Sequence, residues 1–184
     1  MYKEKLKELI ENKLVKVPHG ANPELFYPKE KNHNGMKFIT NKGYRHNLDR
    51  GGLQFVIKSF IEEFSNSDAI RLIIKVNPSY GIPDLNRLIS ALTTIKENIP
   101  EIILDVNSYK YEDLVKIYNQ ADVFVSGTMA EAFNIPGLEA KACALMTIQT
   151  GFGGQTDYMK EGTDLFIDYD LIEVKWELQY EGVF

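Results

Sequence analysis

Residues 121–150 read ADVFVSGTMAEAFNIPGLEAKACALMTIQT. Within them, 122–126 (DVFVS) and 146–149 (MTIQ) are short apolar, β-branched runs of strand type. Between the two, Pro136 falls where only a first helical turn tolerates it, and 136–144 continues in Leu, Glu, Ala and Lys, which are good helix formers. Strand, loop, helix and strand in this order form the unit of a parallel sheet. A strand that is apolar along its whole length is buried on both faces, as happens when helices cover a parallel sheet from both sides.

The same alternation extends outward from this unit. Upstream, 37–41 reads as strand and 52–63 as helix, with Phe55, Val56, Ser59 and Phe60 on its inner side. Residues 71–76 (RLIIKV) form a continuous apolar strand, 83–98 a helix opened by Pro and Asp, 101–106 a strand and 111–120 a helix. Downstream, a brief helix over 156–161 and a strand over 164–168 complete the pattern. The expected fold is a doubly wound, Rossmann-like α/β domain of about six parallel strands over residues 1–169. An amphipathic helix over 2–13 and a short strand LVKV at 14–17 lead into it. Residues 170–184 differ: Val174, Trp176, Leu178 and Tyr180 alternate with charged and polar residues, the period of an amphipathic strand that either packs or docks on a partner.

Composition narrows the functional classes. With 184 residues, 44% of them apolar, the chain is sized for one globular domain rather than a disordered segment. Its single cysteine, Cys143, excludes a disulfide framework and sits in EAKACALM, where a small buried apolar role is expected. No uncharged stretch reaches the roughly 20 apolar residues of a membrane span. The charged start MYKEKLKELIENK is unlike a secretory signal, so a soluble cytoplasmic protein is expected. The net charge of −5 is unevenly spread: residues 161–184 hold seven acids and one base, which leaves the first 160 residues at +1. Neither part has the concentrated basic excess of a nucleic-acid surface. A small anionic ligand needs only a few placed cations.

In a doubly wound sheet, ligands lie beyond the carboxyl ends of the strands. Here that rule selects the loops 41–52, 77–82, 107–110, 127–134 and 150–155. In the first loop, Arg45 and Arg50 precede Gly51–Gly52 at a helix start, where guanidiniums and free amides together suit a phosphate or diphosphate. Lys42 stands close by in sequence. The loop is neither a Walker loop nor GxGxxG, and exposed loop arginines are often simply solvated. In 127–139, Glu131 lies in the loop and Glu139 on the helix, with the amides of Phe133, Asn134 and Ile135 at the helix start. Two carboxylates at this spacing can accept hydrogen bonds from two sets of hydroxyls, as sugars and riboses present. The spacing is met equally well by favourable charge in a first helical turn. No His joins the pair, so a metal site is not expected. His19, His33 and His46 fall in loops, and His46, beside the arginines, reads as a solvated loop His.

Several of these segments together resemble a known family. VPHGANPELFYP resembles the entry to the C-terminal domain of family 4 (group 1) retaining glycosyltransferases, which have the GT-B fold. Arg45-x4-Arg50-Gly51 matches that family's Arg-x4-Lys-Gly phosphate pair, with Arg for the usual Lys. Residues 118–159 look like its Glu-x7-Glu signature followed by a Gly-Gly loop. The resemblance implies that Arg45 and Arg50 bind the donor diphosphate. Glu131, with the amides of Phe133, Asn134 and Ile135, would touch the donor sugar; Glu139 would hold the ribose, and Tyr109 would lie against the base. On this basis Glu131, Arg45 and Arg50 are the expected catalytic groups.

The resemblance further implies transfer of a hexosyl group from a UDP-, GDP- or ADP-sugar, with no metal and no cofactor beyond the nucleotide sugar. The family carries Gly where this chain has Ala132 and Asn134, so the Cβ at 132 and the larger side chain at 134 are expected to crowd or reshape the sugar pocket. The motifs belong to the second half of a two-domain enzyme. An N-terminal acceptor-binding half is therefore expected in cis or in trans, leaving peripheral membrane contact open through that half, and the isolated chain is expected to turn over little. The rival reading is a non-catalytic nucleotide-sugar-binding or interaction module.

Overall fold

A computed structural model describes residues 15–44, 49–92 and 98–173, together with Lys7, Ile10 and Lys13. Most of the expected N-terminal helix, the loop residues Arg45 and His46, and the amphipathic segment 174–184 lie outside the described residues.

Six strands form one parallel sheet: β1 (Met36–Lys42), β2 (Ile70–Val76), β3 (Glu101–Asp105), β4 (Val123–Ser126), β5 (Met146–Thr150) and β6 (Leu165–Ile167). Their order is β3-β2-β1-β4-β5-β6, and every pairing is parallel. The doubly wound fold is thus as the strand runs suggest. From β1 the chain winds outward through β2 and β3, then returns to the other side of β1 and continues through β4, β5 and β6. The reversal between β1 and β4 is the switch point at which such sheets open a crevice.

Among the described residues, four α-helices flank the sheet: α1 (Leu53–Glu63), α2 (Leu85–Leu92), α3 (Leu114–Tyr118) and α4 (Ile135–Ala142), with Lys7 and Ile10 also helical. Alternate residues of the central strands supply two cores. Leu72, Ile74 and Val76 pack with Leu53, Ile57 and Phe60 of α1, whereas Ile39, Ile73 and Phe124 pack with Ile117, Tyr118 and Ala140. Each fully buried Ile, Leu or Phe contributes roughly 1.5–3 kcal/mol of transfer free energy.

The structure corrects several local expectations. LVKV forms no strand in its described part, residues 15–17. Val15 and Val17 are over four-fifths exposed, and Lys16 reaches across to Asp157 at 2.6 Å. The inner face of α1 is Leu53, Val56, Ile57, Phe60 and Ile61, while Phe55 and Ser59 are exposed. The first residue of α1 is Leu53, whose amide donates to Asp49 Oδ2 at 2.8 Å. From that start the i, i+3, i+4, i+7, i+8 stripe, not the expected one, faces the sheet. The segment 111–120 is a 3-10 turn (Tyr111–Asp113) followed by the short α3, which ends where the Asn119 side chain bonds Val115 O, Tyr27 O and the Lys29 amide. The brief helix expected at 156–161 is a 3-10 turn at Gly154–Asp157.

Candidate functional site

The loops after β1 and β4 are fastened to each other. The carbonyl of Arg50 accepts hydrogen bonds from the Met129 amide at 2.8 Å and from Thr128 Oγ1 at 3.1 Å. Gly52 has φ +71°, and a Cβ there would lie 1.8 Å from the carbonyl oxygen of Gly127. At Gly52 the close backbone approach is therefore made with the neighbouring loop. Nor are the first amides of α1 all free, because Asp49 takes those of Gly51 (3.2 Å) and Leu53 (2.8 Å). What this loop presents is the exposed Arg50 side chain at the switch point. Arg45, its expected companion, lies outside the described residues.

Glu131 is held from both sides. Its Oε1 accepts the Ala132 amide at 3.0 Å, and its Oε2 lies 3.4 Å from Lys42 Nζ at the end of β1. Burial by itself raises the Glu131 pKa, but the Lys42 ammonium and the amides of Ala132 and Asn134 more than offset it, holding the carboxyl below its usual range. Lys42 is shifted down by burial, against the pull of Glu131. Its ammonium also donates to Asn134 Oδ1 at 3.2 Å.

Asn134 caps α4 in the left-handed region, φ 60° and ψ 61°, which Asn tolerates better than most residues. Its side chain is buried and turned inward, donating from Nδ2 to Gln149 Oε1 at 2.5 Å. The Tyr158 hydroxyl lies 2.9 Å from the Asn134 carbonyl and 3.1 Å from the same Gln149 oxygen. The Asn134 side chain is thus held in the protein interior, between Lys42 and Gln149. Glycine is required behind the loop: a Cβ on Gly154 would lie 2.4 Å from Ala132 O, whose carbonyl accepts the Gly154 amide at 3.0 Å. Phe133 packs edge-on against His19 (4.8 Å between centroids) and tilted against Tyr158 (5.4 Å), and Ile135 begins α4 exposed. His33 is half-buried and lies 3.6 Å from Asp122.

Glu139 lies one turn into α4 and is 3% exposed. Tyr118 donates to its Oε2 at 3.0 Å and accepts from Asn41 Nδ2 at 2.9 Å. Tyr111 also bonds Glu139; burial and this contact push its hydroxyl up to about 12. Burial raises the Glu139 carboxyl despite the two tyrosines. An ionised carboxylate offers about four lone-pair sites, so two tyrosine donors leave room for two more.

Tyr109, in the loop after β3, donates to Asp105 Oδ2 at 2.9 Å and has Lys75 Nζ 5.3 Å from its ring centroid. The buried Lys75 ammonium also donates to Val76 O at 2.5 Å. Cys143 is fully buried, and burial pushes its thiol up to about 11, in keeping with an unreactive packing role.

Glu131, Asn134, Glu139 and Arg50 are therefore gathered around the β1–β4 switch point, with Tyr109 further along the same strand ends. Lys42, Asn41, Tyr111, Tyr118, Gln149 and Tyr158 complete the arrangement, and of these only Lys42 drew notice in the sequence. Among the described residues no group of three or more His, Cys, Asp or Glu is placed to hold a metal ion. No described helix is long and apolar enough to cross a membrane.

Residues 97–170, which include Glu131 and Glu139, match the family described as Glycosyl transferases group 1, so the resemblance drawn from the motifs is borne out. The chain is also similar to solved structures. One is the C-terminal domain of the glycosyl transferase group 1 family protein LpcC from Francisella tularensis: 20% identity, TM-score 0.57, 81% of this chain and 80% of that one. Another is the sucrose-phosphate synthase tll1590 from Thermosynechococcus elongatus: 20% identity, TM-score 0.62, 83% of this chain and 39% of that one. A third is Anabaena Alr3699/HepE in complex with UDP-glucose: 14% identity, TM-score 0.53, 80% of this chain and 41% of that one. At these identities the likeness establishes the fold, and the chain spans well under half of the last two proteins. Comparison with curated proteins by sequence finds no match.

Proposed function

We propose, for a chain whose residues 97–170 match the group 1 glycosyl transferases and whose fold is that of their C-terminal domain, that it is the donor-binding half of a retaining glycosyltransferase. The observation that carries this reading is the placing of Glu131 and Glu139, the two acids of the matched segment, on the loop and helix at the β1–β4 switch point.

In this reading the nucleoside diphosphate of a UDP-, GDP- or ADP-sugar lies across the strand ends. Arg45 and Arg50 take the diphosphate, Glu139 the ribose hydroxyls beside its two tyrosines, and Tyr109 the base. Glu131 and the amides of Phe133, Asn134 and Ile135 receive the hexosyl group. As the bond from sugar to diphosphate breaks, charge builds on the leaving phosphate. In this reading the guanidiniums and the amino end of α4 meet that charge, which is electrostatic catalysis by preorganised donors. Among the described residues no side chain is placed as an evident nucleophile; in this reading the acceptor enters on the face the leaving group vacates, which retains configuration. The reaction as proposed uses no metal.

The acceptor half is supplied by another domain, in cis or in trans. The shares of 39% and 41% that the chain spans in two structural neighbours support this. Peripheral membrane contact, where it occurs, belongs to that half, and the proposed setting is the cytoplasm. HepE is a structural neighbour that binds UDP-glucose, so UDP-glucose is the first donor to try.

Calorimetric titration of the chain with UDP-, GDP- and ADP-glucose tests the reading. At least one should bind, and Arg45→Ala and Arg50→Ala should each weaken it by roughly tenfold or more, since a charge-assisted hydrogen bond contributes on the order of 1.5–3 kcal/mol. Equal binding by both variants and the parent removes the diphosphate assignment. Efficient sugar transfer by the 184 residues alone removes the assignment as half an enzyme.

A further inference from the structure

Lys42 stands at the carboxyl end of β1, beside the arginines expected to meet a diphosphate, yet its ammonium is directed elsewhere. The side chain is 8% exposed, and Nζ lies 3.2 Å from Asn134 Oδ1 and 3.4 Å from Glu131 Oε2. An exposed lysine would gain little from such a pair. A buried ammonium has a large desolvation cost that only well-placed partners offset, so these contacts fix Lys42.

They fix its partners as well. Glu131 has Oε2 on Lys42 and Oε1 on the Ala132 amide at 3.0 Å, so rotation about its last bond would break both contacts. Asn134 is held from behind by Gln149 and Tyr158. The loop carrying Glu131 is pressed against Gly153 and Gly154. A carboxylate has about four lone-pair sites. Lys42 and the amides of Ala132 and Asn134 engage three of them, which leaves one for a hydroxyl of the donor sugar.

We propose that Lys42 is a positioning residue that orients the Glu131 carboxylate to accept a hydroxyl of the donor sugar, rather than a ligand of the diphosphate. The inference rests on the donor-binding reading above and adds to it a device for sugar selection: the donor must present a free hydroxyl where the fixed carboxylate points. Two contributions to binding are thereby separated. The diphosphate depends on the arginines, and the further affinity provided by the sugar depends on Lys42 through Glu131.

The test is calorimetry on the full chain with UDP, GDP and ADP and with their glucose esters, comparing the parent with Lys42→Met and Lys42→Arg. In Lys42→Met, bare nucleoside diphosphate should bind within about twofold of the parent, while the extra affinity of the glucose ester should fall by roughly tenfold, the loss of one charged hydrogen bond's worth of orientation. Lys42→Arg keeps a cation within reach of Glu131 and should restore most of that extra affinity, which a merely structural filling role would not do. Lys42→Gln, which keeps a donor for Asn134 without the charge, repeats the measurement should Lys42→Met fail to fold. A tenfold loss for the bare diphosphate in Lys42→Met places the ammonium on phosphate and overturns the inference, as does an unchanged sugar contribution. A parent that binds diphosphates but gains nothing from the sugar overturns this inference alone. A parent that binds no nucleoside diphosphate overturns the donor-binding reading, and this one with it.

Discussion

The Tyr118 hydroxyl donates to Oε2 of Glu139 at 3.0 Å, joining α3 to α4 beneath the crevice, and accepts in turn from Asn41 of β1. Tyr118 is 1% exposed and Glu139 3%, so neither end of this bond is satisfied by bulk water. Tyr118→Phe keeps the ring and removes the one donor. A hydrogen bond to a charged group contributes about 1.5–3 kcal/mol, and the Asn41 amide loses its acceptor as well, so we expect the variant to be less stable by about 2–3 kcal/mol. Urea unfolding at pH 7 checks this, and a loss under 0.5 kcal/mol would show that the pair is not a net stabiliser.

Glu139 carries a stability penalty of known sign. Burial raises its folded-state pKa above the unfolded value, so the native protein holds this proton more tightly. Stability then falls as pH rises from the ordinary carboxylate pKa to the raised one, and the penalty is complete above it. Glu139→Gln has no charge to bury, and its side-chain carbonyl still accepts from Tyr118. The variant should therefore melt higher than the parent at neutral pH, with the advantage vanishing below the ordinary carboxylate range. Melting curves from pH 3 to 8 read this directly. The same substitution should weaken nucleotide binding, because the ribose loses an anionic acceptor.

A Gly154→Ala variant tests how the Glu131 loop is held. The added Cβ would sit 2.4 Å from Ala132 O and close to Phe133, so the loop after β4 or the turn at 153–157 must shift. Overpacking of this kind costs typically 1–3 kcal/mol. Donor-sugar affinity should fall together with stability, because the residue displaced adjoins Glu131. A variant that melts like the parent and binds UDP-glucose equally well would mean that the two loops adjust freely.

The strands were legible because burial on both faces leaves continuous apolar runs such as RLIIKV, and Glu131 and Glu139 because their spacing straddles a loop and a helix start. Tyr118 and Gln149 were not, and Lys42 drew notice only for its place near the arginines. The contacts that give the three their roles come from partners 89, 21 and 15 positions away. Alternation at LVKV shows which side of a strand would be apolar but not whether a sheet edge lies beside it, and none does. At 134 the sequence did not show where the side chain goes: the left-handed backbone turns it toward Gln149. On α1, the position of the first helical residue decided which of two overlapping apolar stripes was buried.

Asp164 is the clearest acid-sensitive element. Its carboxylate accepts from Lys141, from the Lys160 amide at 2.8 Å and from Thr147 Oγ1 at 2.8 Å, tying the C-terminal turn to α4 and β5. Burial pulls its pKa up, but these donors outweigh burial and leave it below the usual value. The stabilisation it provides is thus fully present above the unfolded-state pKa, and is lost as pH falls through the lower folded-state one. Asp164→Asn removes the charge while keeping the shape and strands the Lys141 ammonium. Breaking a buried pair typically costs 3–5 kcal/mol; because the Lys141 side chain is 24% exposed, we expect about 3 kcal/mol at pH 7. The difference between parent and variant should be flat across neutral pH and shrink only in acid below the ordinary aspartate range. A difference that instead diminished between pH 6 and 8 would implicate another group, and unchanged stability at pH 7 would mean that the backbone amide and Thr147 contacts survive with an amide in place.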